Sequence, residues 1–540
     1  MEKILHIFGR KKKNVRPSLK KQDAILSKNS FVKKYSTSME NINTIVFGCP
    51  DSGIKRSYLY PNMLQTNSSF VVMDYNRENY SAMKEFLEKN GYKVQILDTE
   101  QPSDSDGFNP LWYCKTAYDV ENLVDCFELP TDDPFCAVVL KKLICACIAF
   151  MTLNAPGKTV PYCKLPEIVG EKFYMPSPTL DDLFFMLEMA FSKSNQNYWA
   201  FVDLFKKIKH YEWEFGEGHS YCLASWIDYY NCSNTVKVAI SYQMKSVLDT
   251  LKKQDVAKIA NNSNKISIET FGIEKTAVFV NISHIAQEQL YLVRMFLHQV
   301  YSVLFNFSDG MVGSKKMVLP NGELLKWISP KEAKDPNAIS EIVKEYQDVA
   351  VESDQCKGVY NIYSSKRNKI MSFPSYTIAK RYVQAIENAK IQDCTSSFLP
   401  IPVRVFISNL DLIGEIPCLT HYMAIARGVN ISTTIIAETV DEIKKAYKNN
   451  AEVILENCAY WLYMGASSPE KCEFLEERIK MISRQKGDKS LGLDSNYSSN
   501  NLFGLPVCKM AVLAVQKGEY WIDDKFVLED HPYYKYFKTF

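Results

Sequence analysis

Residues 44–99 read TIVFGCPDSGIKRSYLYPNMLQTNSSFVVMDYNRENYSAMKEFLEKNGYKVQILDT. TIVFG (44–48) is a short β-branched run that stops at Gly48, and SFVVMDY (69–75) is a second apolar run that ends in an acid and a tyrosine. MKEFLEKNGY (83–92) carries apolar residues at helical spacing up to a glycine stop, and VQILDT (94–99) makes a third strand. Strand, helix, strand, helix, strand within about 55 residues is the pattern of a parallel sheet with right-handed crossovers.

Outward from this stretch the chain changes character. At 540 residues, with about 150 per domain, it is long enough for two to four domains. Lys and Arg number 64 against 62 Asp and Glu, a net charge of +2, which excludes a globally basic nucleic-acid binder. Residues 1–38 hold eleven of those bases and read as a basic N-terminal tail (1–40), either solvated or touching anionic lipid or nucleic acid through residues 1–34. From Tyr118 to Tyr230 there are 16 acids and 9 bases, and the periodicity of DDLFFMLEMAF and YWAFVDLFKKI is helical. The expected organisation is a nucleotide-binding-like α/β domain in two parts, 41–116 and 236–540, interrupted by an all-α domain at 117–235. Sheet character returns at KTAVFVNI (275–282), PVRVFIS (402–408), ISTTIIA (431–437) and AYWLYMG (459–465). Residues 310–395 are polar and form an insertion or small subdomain. LICACIAFM (143–151) falls short of the roughly 18 residues of a membrane span. Fifteen unpatterned Cys in a chain that opens without a leader point to a reduced, cytoplasmic protein.

The turn after TIVFG is where a phosphate-binding loop, G-x-x-x-x-G-K-[ST], would sit. Its amides and helix N-terminus cradle phosphates, its Lys reaches the terminal oxygens and its hydroxyl holds magnesium. Here it runs Gly48-Cys49-Pro50-Asp51-Ser52-Gly53-Ile54-Lys55-Arg56-Ser57. Both glycines keep their separation, but Ile54 stands where Lys is needed and Lys55 where Ser or Thr is needed. A one-residue shift turns a helical side chain by about 100°, so Lys55 does not replace the missing amine. Pro50 removes an amide donor. Asp51 would repel a phosphate charge by about 4 kcal/mol at ~4 Å and an effective dielectric near 20.

The residues around this loop resemble the nucleotide-binding domain of type IV secretion coupling proteins, the TraG/TraD family of conjugative DNA-transfer ATPases. There the loop reads like GGSGSGKTRFYVKPNIL, followed by SFVVTDPKGELY and later GYKV…NPL. Arg56, Tyr58, Pro61, Asn62, Ser69 to Val72, Asp74, Glu78, Tyr80, Gly91-Tyr92 and Asn109-Pro110-Leu111 match, while Tyr75-Asn76-Arg77 replaces the family's Pro-Lys-Gly. PVRVFISNLDLIGEIP (402–417) resembles the strand whose Asp and Glu position magnesium and the attacking water. The matching positions are Ser408 and Asn409, neither of them an acid. Asp411, three residues past Ser408, falls on the opposite face if the strand continues. Arg427 matches an arginine near a subunit boundary, and Ala437 and Glu442 stand for two glutamines, the first a γ-phosphate sensor. Asn457-Cys458 and Lys525, His531 and Pro532 also match.

The resemblance implies an α/β, RecA-like P-loop-type parallel sheet with an inserted all-α domain and with its hydrolytic groups replaced. It further implies a pseudo-ATPase without its N-terminal membrane helices, recruiting or positioning substrate for type IV secretion or conjugation. Implied partners are a related active ATPase, a relaxase complex and single-stranded DNA, in a homo- or hetero-oligomer that is cytoplasmic or peripheral at the inner membrane face. Two alternatives stay open. One is an active ATPase with relocated groups, Lys55 on the phosphate of ATP and Asp74 or Asp411 near Mg2+. The other is an adaptor unrelated to DNA transfer. No metal site or further catalytic constellation stands out. Cys145 and Cys147 read as packing residues, Asp132-Asp133 before Pro134 as a helix start, and Tyr113, Tyr118, Tyr229 and Tyr230 as core or partner contacts ahead of base stacking.

Overall fold

The computed structural model describes residues 19–20, 23–33, 40–127, 133–153, 178–192, 195–210, 217–252, 256–282, 289–355, 359–373, 375–485 and 497–538. The basic tail up to residue 18 lies outside them, as does Asp132. The strands that carry the argument are β1 (Thr44–Phe47), β2 (Ser69–Tyr75), β3 (Lys93–Asp98), β4 (Thr276–Ile282), β5 (Val403–Ser408), β6 (Ile431–Ala437), β7 (Tyr460–Tyr463), β8 (Lys509–Ala514) and β9 (Glu519–Asp524). The chain divides into two compact units, one made of residues 1–68 and 458–540, the other of 69–457.

In the first unit β1 runs parallel to β7, and β7, β8 and β9 follow as an antiparallel meander. β1 and β7 are buried along their whole length, as continuous apolar runs must be when both faces are covered. Phe47 packs on Trp461 and Phe474 at 5.7 and 4.6 Å between ring centroids. A small hairpin (Ala24–Ile25 with Phe31–Val32) straps this unit. The buried Asp523 at the end of β9 accepts from Ser27 Oγ at 2.5 Å, Asn29 Nδ2 at 2.7 Å and Ser30 Oγ at 3.1 Å. On the other side of the strap, Asn62 of α1 (Tyr60–Leu64) accepts from the Ile25 amide and donates to the Ile25 carbonyl.

The second unit holds five parallel strands in the order β6, β5, β2, β4, β3. The strand–helix–strand rhythm of residues 69–98 is realised through α2 (Glu78–Lys89), whose Met83, Phe86 and Leu87 are buried. This is the α/β, RecA-like architecture expected from the sequence. Between β3 and β4 the described residues are mostly helical, and they include α3 (Pro134–Thr152), apolar apart from Lys141 and Lys142. Asp133 caps α3 by accepting from the Phe135 and Cys136 amides, and Cys145 and Cys147 are both buried in it. The expectation that no segment reaches a membrane span's length needs correcting. At 19 residues α3 is long and apolar enough by composition, and 67% of its most apolar stretch is buried inside the protein. The sequence reading stopped short because Lys141 and Lys142 break the run, whereas a helix absorbs two such residues. Trp226 stacks on Phe205 at 5.4 Å and on Tyr230 at 4.8 Å, and Tyr229 is buried beside it.

Between α4 (Leu290–Asp309) and β5 lie two three-stranded sheets. One joins Lys315–Val318, Leu324–Ile328 and Lys390–Asp393, the other Ala350–Asp354, Val359–Tyr363 and Lys369–Phe373. They share an apolar cluster of Leu319, Ile362, Ala379 and Ile386.

Candidate functional site

In the first unit β1 ends at Phe47 and the chain turns through residues 48–53. Asp51 and Gly53 take left-handed backbone angles, φ +67° and +83°. The turn is closed by Ser52 N donating to Cys49 O at 3.1 Å and tied to β7 by Cys49 N donating to Gly465 O at 3.1 Å. Ser57 N then donates to Gly53 O at 2.8 Å as the helical path begins, first as one π-type turn (Lys55–Leu59) and then as α1. Gly48 leaves room for two side chains. A Cβ there would lie 2.4 Å from Ser52 Oγ and 2.8 Å from Ile54 Cδ1, so both side chains are folded back over it. Lys55 and Arg56 point outward, and Arg56 is paired with Glu529. Ser52 Oγ is buried and has no hydrogen-bond partner among the described residues.

The cation that does reach this loop comes from the far end of the chain. Lys525, the first residue after β9, is buried, and its Nζ donates to Ser52 O at 2.8 Å and to Met464 O at 2.7 Å. Burial pulls its pKa below the ordinary lysine value. The sequence reading matched Lys525 to a terminal motif without placing it here. No local signal could have done so, because its partners are backbone carbonyls 473 and 61 positions away.

The remaining candidates sit in the second unit. Asp74 is buried near the end of β2. Its Oδ1 accepts from the Tyr75 and Asn79 amides at 2.8 and 2.9 Å and its Oδ2 from the Tyr80 amide at 2.8 Å, so both oxygens serve the start of α2. Glu78 is exposed in the first turn of that helix. Asn76 and Arg77 are both left-handed, and Arg77 Nε donates to the buried Asp98 at 2.5 Å. Ser408 closes β5, and Asn409, at φ +58°, turns the chain directly into α5 (Leu410–Ile413). Placing Asp411 on an extended strand is therefore incorrect. The left-handed Asn409 ends the strand, and Asp411 lies in the first turn of α5, 3.6 Å from Lys445 of α6 (Val440–Tyr447). Arg427 is exposed in the short turn before β6, and Ala437 is the buried last residue of β6. Glu442 is half-buried, accepts from the Glu438 amide at 2.8 Å, and has its pKa raised by burial and then by Asp411 and Glu438. Asn457 Nδ2 donates to Val453 O. Among the four tyrosines, Tyr113 bonds the backbone at residues 266 and 268, while Tyr118 remains 59% exposed.

Two family models match the sequence. One, described as Type IV secretory system Conjugative DNA transfer, covers residues 5–131, and the other, described as the TraM recognition site of TraD and TraG, covers residues 402–503. These two matches support the resemblance to the TraG/TraD family of conjugative coupling proteins. Solved structures agree at the level of fold. The plasmid coupling protein TrwB with a non-hydrolysable GTP analogue superposes with a TM-score of 0.51 at 11% identity, covering 94% of this chain and 90% of that one. An unbound form of the bacterial conjugative coupling protein TrwB gives 0.53 at 11% identity over the same shares. A form in complex with sulphate gives 0.51 at 12%, again over 94% and 90%. No curated protein has a significant sequence match to the chain.

Proposed function

We propose that this coupling-protein homologue works as a non-hydrolysing member of a conjugative or type IV secretion machine, recruiting or positioning substrate rather than turning over ATP. The observation that carries this reading is the loop. Ile54 takes the lysine position and folds back over Gly48 with Ser52, while Lys55 faces outward and Arg56 is held by Glu529. A magnesium triphosphate does not fit the residues present. Each unit by itself departs from the family pattern: in the first the loop carries an acid, Asp51, and in the second the matched positions Ser408 and Asn409 hold no carboxylate and Ala437 no side-chain amide. The orphaned Ser52 hydroxyl adds a donor to the loop amides, but no lysine stands at the matched position to share the charge.

The relocated-group reading is disfavoured on two counts. Asp74 has both carboxylate oxygens on backbone amides, and releasing them would uncap α2. Asp411 faces Lys445. The partners that suit the reading are components of the transfer machine, among them a related active ATPase or a relaxase complex. Residues 402–503 are the natural contact, since the model they match is described as a recognition site. The test is phosphate release from ATP and Mg2+ by the full-length protein beside a variant carrying Ile54→Ala and Asn409→Ala. Equal, background rates are expected. Robust turnover that the double substitution abolishes would sink the reading.

A further inference from the structure

The loop is shaped by a residue it does not contain. Asp51 is left-handed although it is not glycine, a conformation that costs on the order of 1 kcal/mol for most side chains and less for Asp. Besides the turn's own bonds to Cys49 and Gly465, the side chain that meets it is Lys525, whose ammonium bridges the carbonyl of Ser52, next to Asp51, and the carbonyl of Met464, which follows β7. Lysine suits this task. Its four methylenes can be buried while its terminal donors serve carbonyls of two segments at once. Its charge has no carboxylate partner among the described residues, so those two bonds carry its compensation.

The same contact closes a circuit within the first unit. Two residues before Lys525, Asp523 grips the strap through Ser27, Asn29 and Ser30. The strap is gripped at Ile25 by Asn62 of α1, and α1 is the helix into which the loop leads. Loop, helix, strap and β9 thus form one hydrogen-bonded ring, and Lys525 is the link between β9 and the loop.

We infer that Lys525 is the positioning residue of the loop. It pins residues 49–53 to β7 from outside and binds the loop mechanically to the strap and the C-terminal strand. The loop is a structural joint in this protein, and its geometry is set by the end of the chain. This inference stands apart from the question of hydrolysis, because a pinned loop is compatible with nucleotide binding or with none.

Hydrogen exchange on the full chain at neutral pH tests it, with Lys525→Met and Lys525→Arg beside the parent and with or without ATP and Mg2+. In Lys525→Met the Ser52 and Ser57 amides should exchange about tenfold faster or more, while those of β8 stay within about twofold. Lys525→Arg, which keeps charged donors, should restore much of the protection. Exchange of the loop amides in Lys525→Met within about twofold of the parent would overturn the inference. Should Lys525→Met fail to fold, brief acetylation of the parent decides. Lys525 should react at least about tenfold more slowly than Lys55, and equal reactivity would overturn the pin. Slower loop exchange on adding ATP and Mg2+ would count against the proposed function and leave this inference standing.

Discussion

His531 shows how a single buried group ties this protein's stability to pH. It is 3% exposed, its Nδ1 accepts from the Tyr533 amide, and its Nε2 has no partner among the described residues. Burial lowers its pKa to about 4. The unfolded chain takes up this proton near the ordinary value of about 6.5, so stability present above that pH is lost as pH falls towards 4, by up to about 3 kcal/mol. Denaturant midpoints at pH 7 and pH 4.5 should converge less in the parent than in His531→Gln, which lacks the titrating group. Equal pH dependence in the two proteins would refute the assignment. Asp74 illustrates the other side of residue-scale reading. Its type and position matched a motif, but only the structure gives its oxygens to three backbone amides.

At the scale of elements, the apolar runs were legible because burial of a strand on both faces leaves an unbroken signature. TIVF, FVVM, AVFV and VRVFI all became buried parallel strands. The strands of residues 315–393 left no such mark, since they are short and half-exposed and their pairing depends on partners up to 78 positions away, as between Lys315 and Asp393. Helix α3 was legible in part. Its apolar character was plain, but the sequence could not tell whether all its faces meet protein. They do over most of its length, with Leu143 fully buried. Leu143→Ala should therefore cost about 2–5 kcal/mol in urea unfolding of the full chain. A loss below about 0.5 kcal/mol would mean that this face of α3 is not packed as described.

Across the whole molecule, the insertion between α4 and β5 is bounded by its own closure. Gly313 N donates to Cys394 O at 3.2 Å and Cys394 N to Ser314 O at 2.9 Å, so its two ends enter and leave side by side. With its own cluster around Ile362, it should be removable. Replacing residues 315–393 by a short Gly-Ser bridge should leave a chain with a cooperative thermal transition and the parent's exchange protection in β2 and β5. Loss of that protection would show that the insertion is needed by the parallel strands. The sequence alone determined the parallel-strand architecture, the family resemblance and the departures at Ile54, Lys55, Ser408 and Asn409, because strand patterning and motif spacing are local and survive without partners. Tertiary structure alone decided that Lys525 holds the loop, that Asp523 and Asn62 bind the strap, and that Asp411 lies on a helix facing Lys445. The reason is physical: a lysine meeting a distant backbone carbonyl selects no residue type at the other end, so folding creates the contact and composition leaves no trace of it.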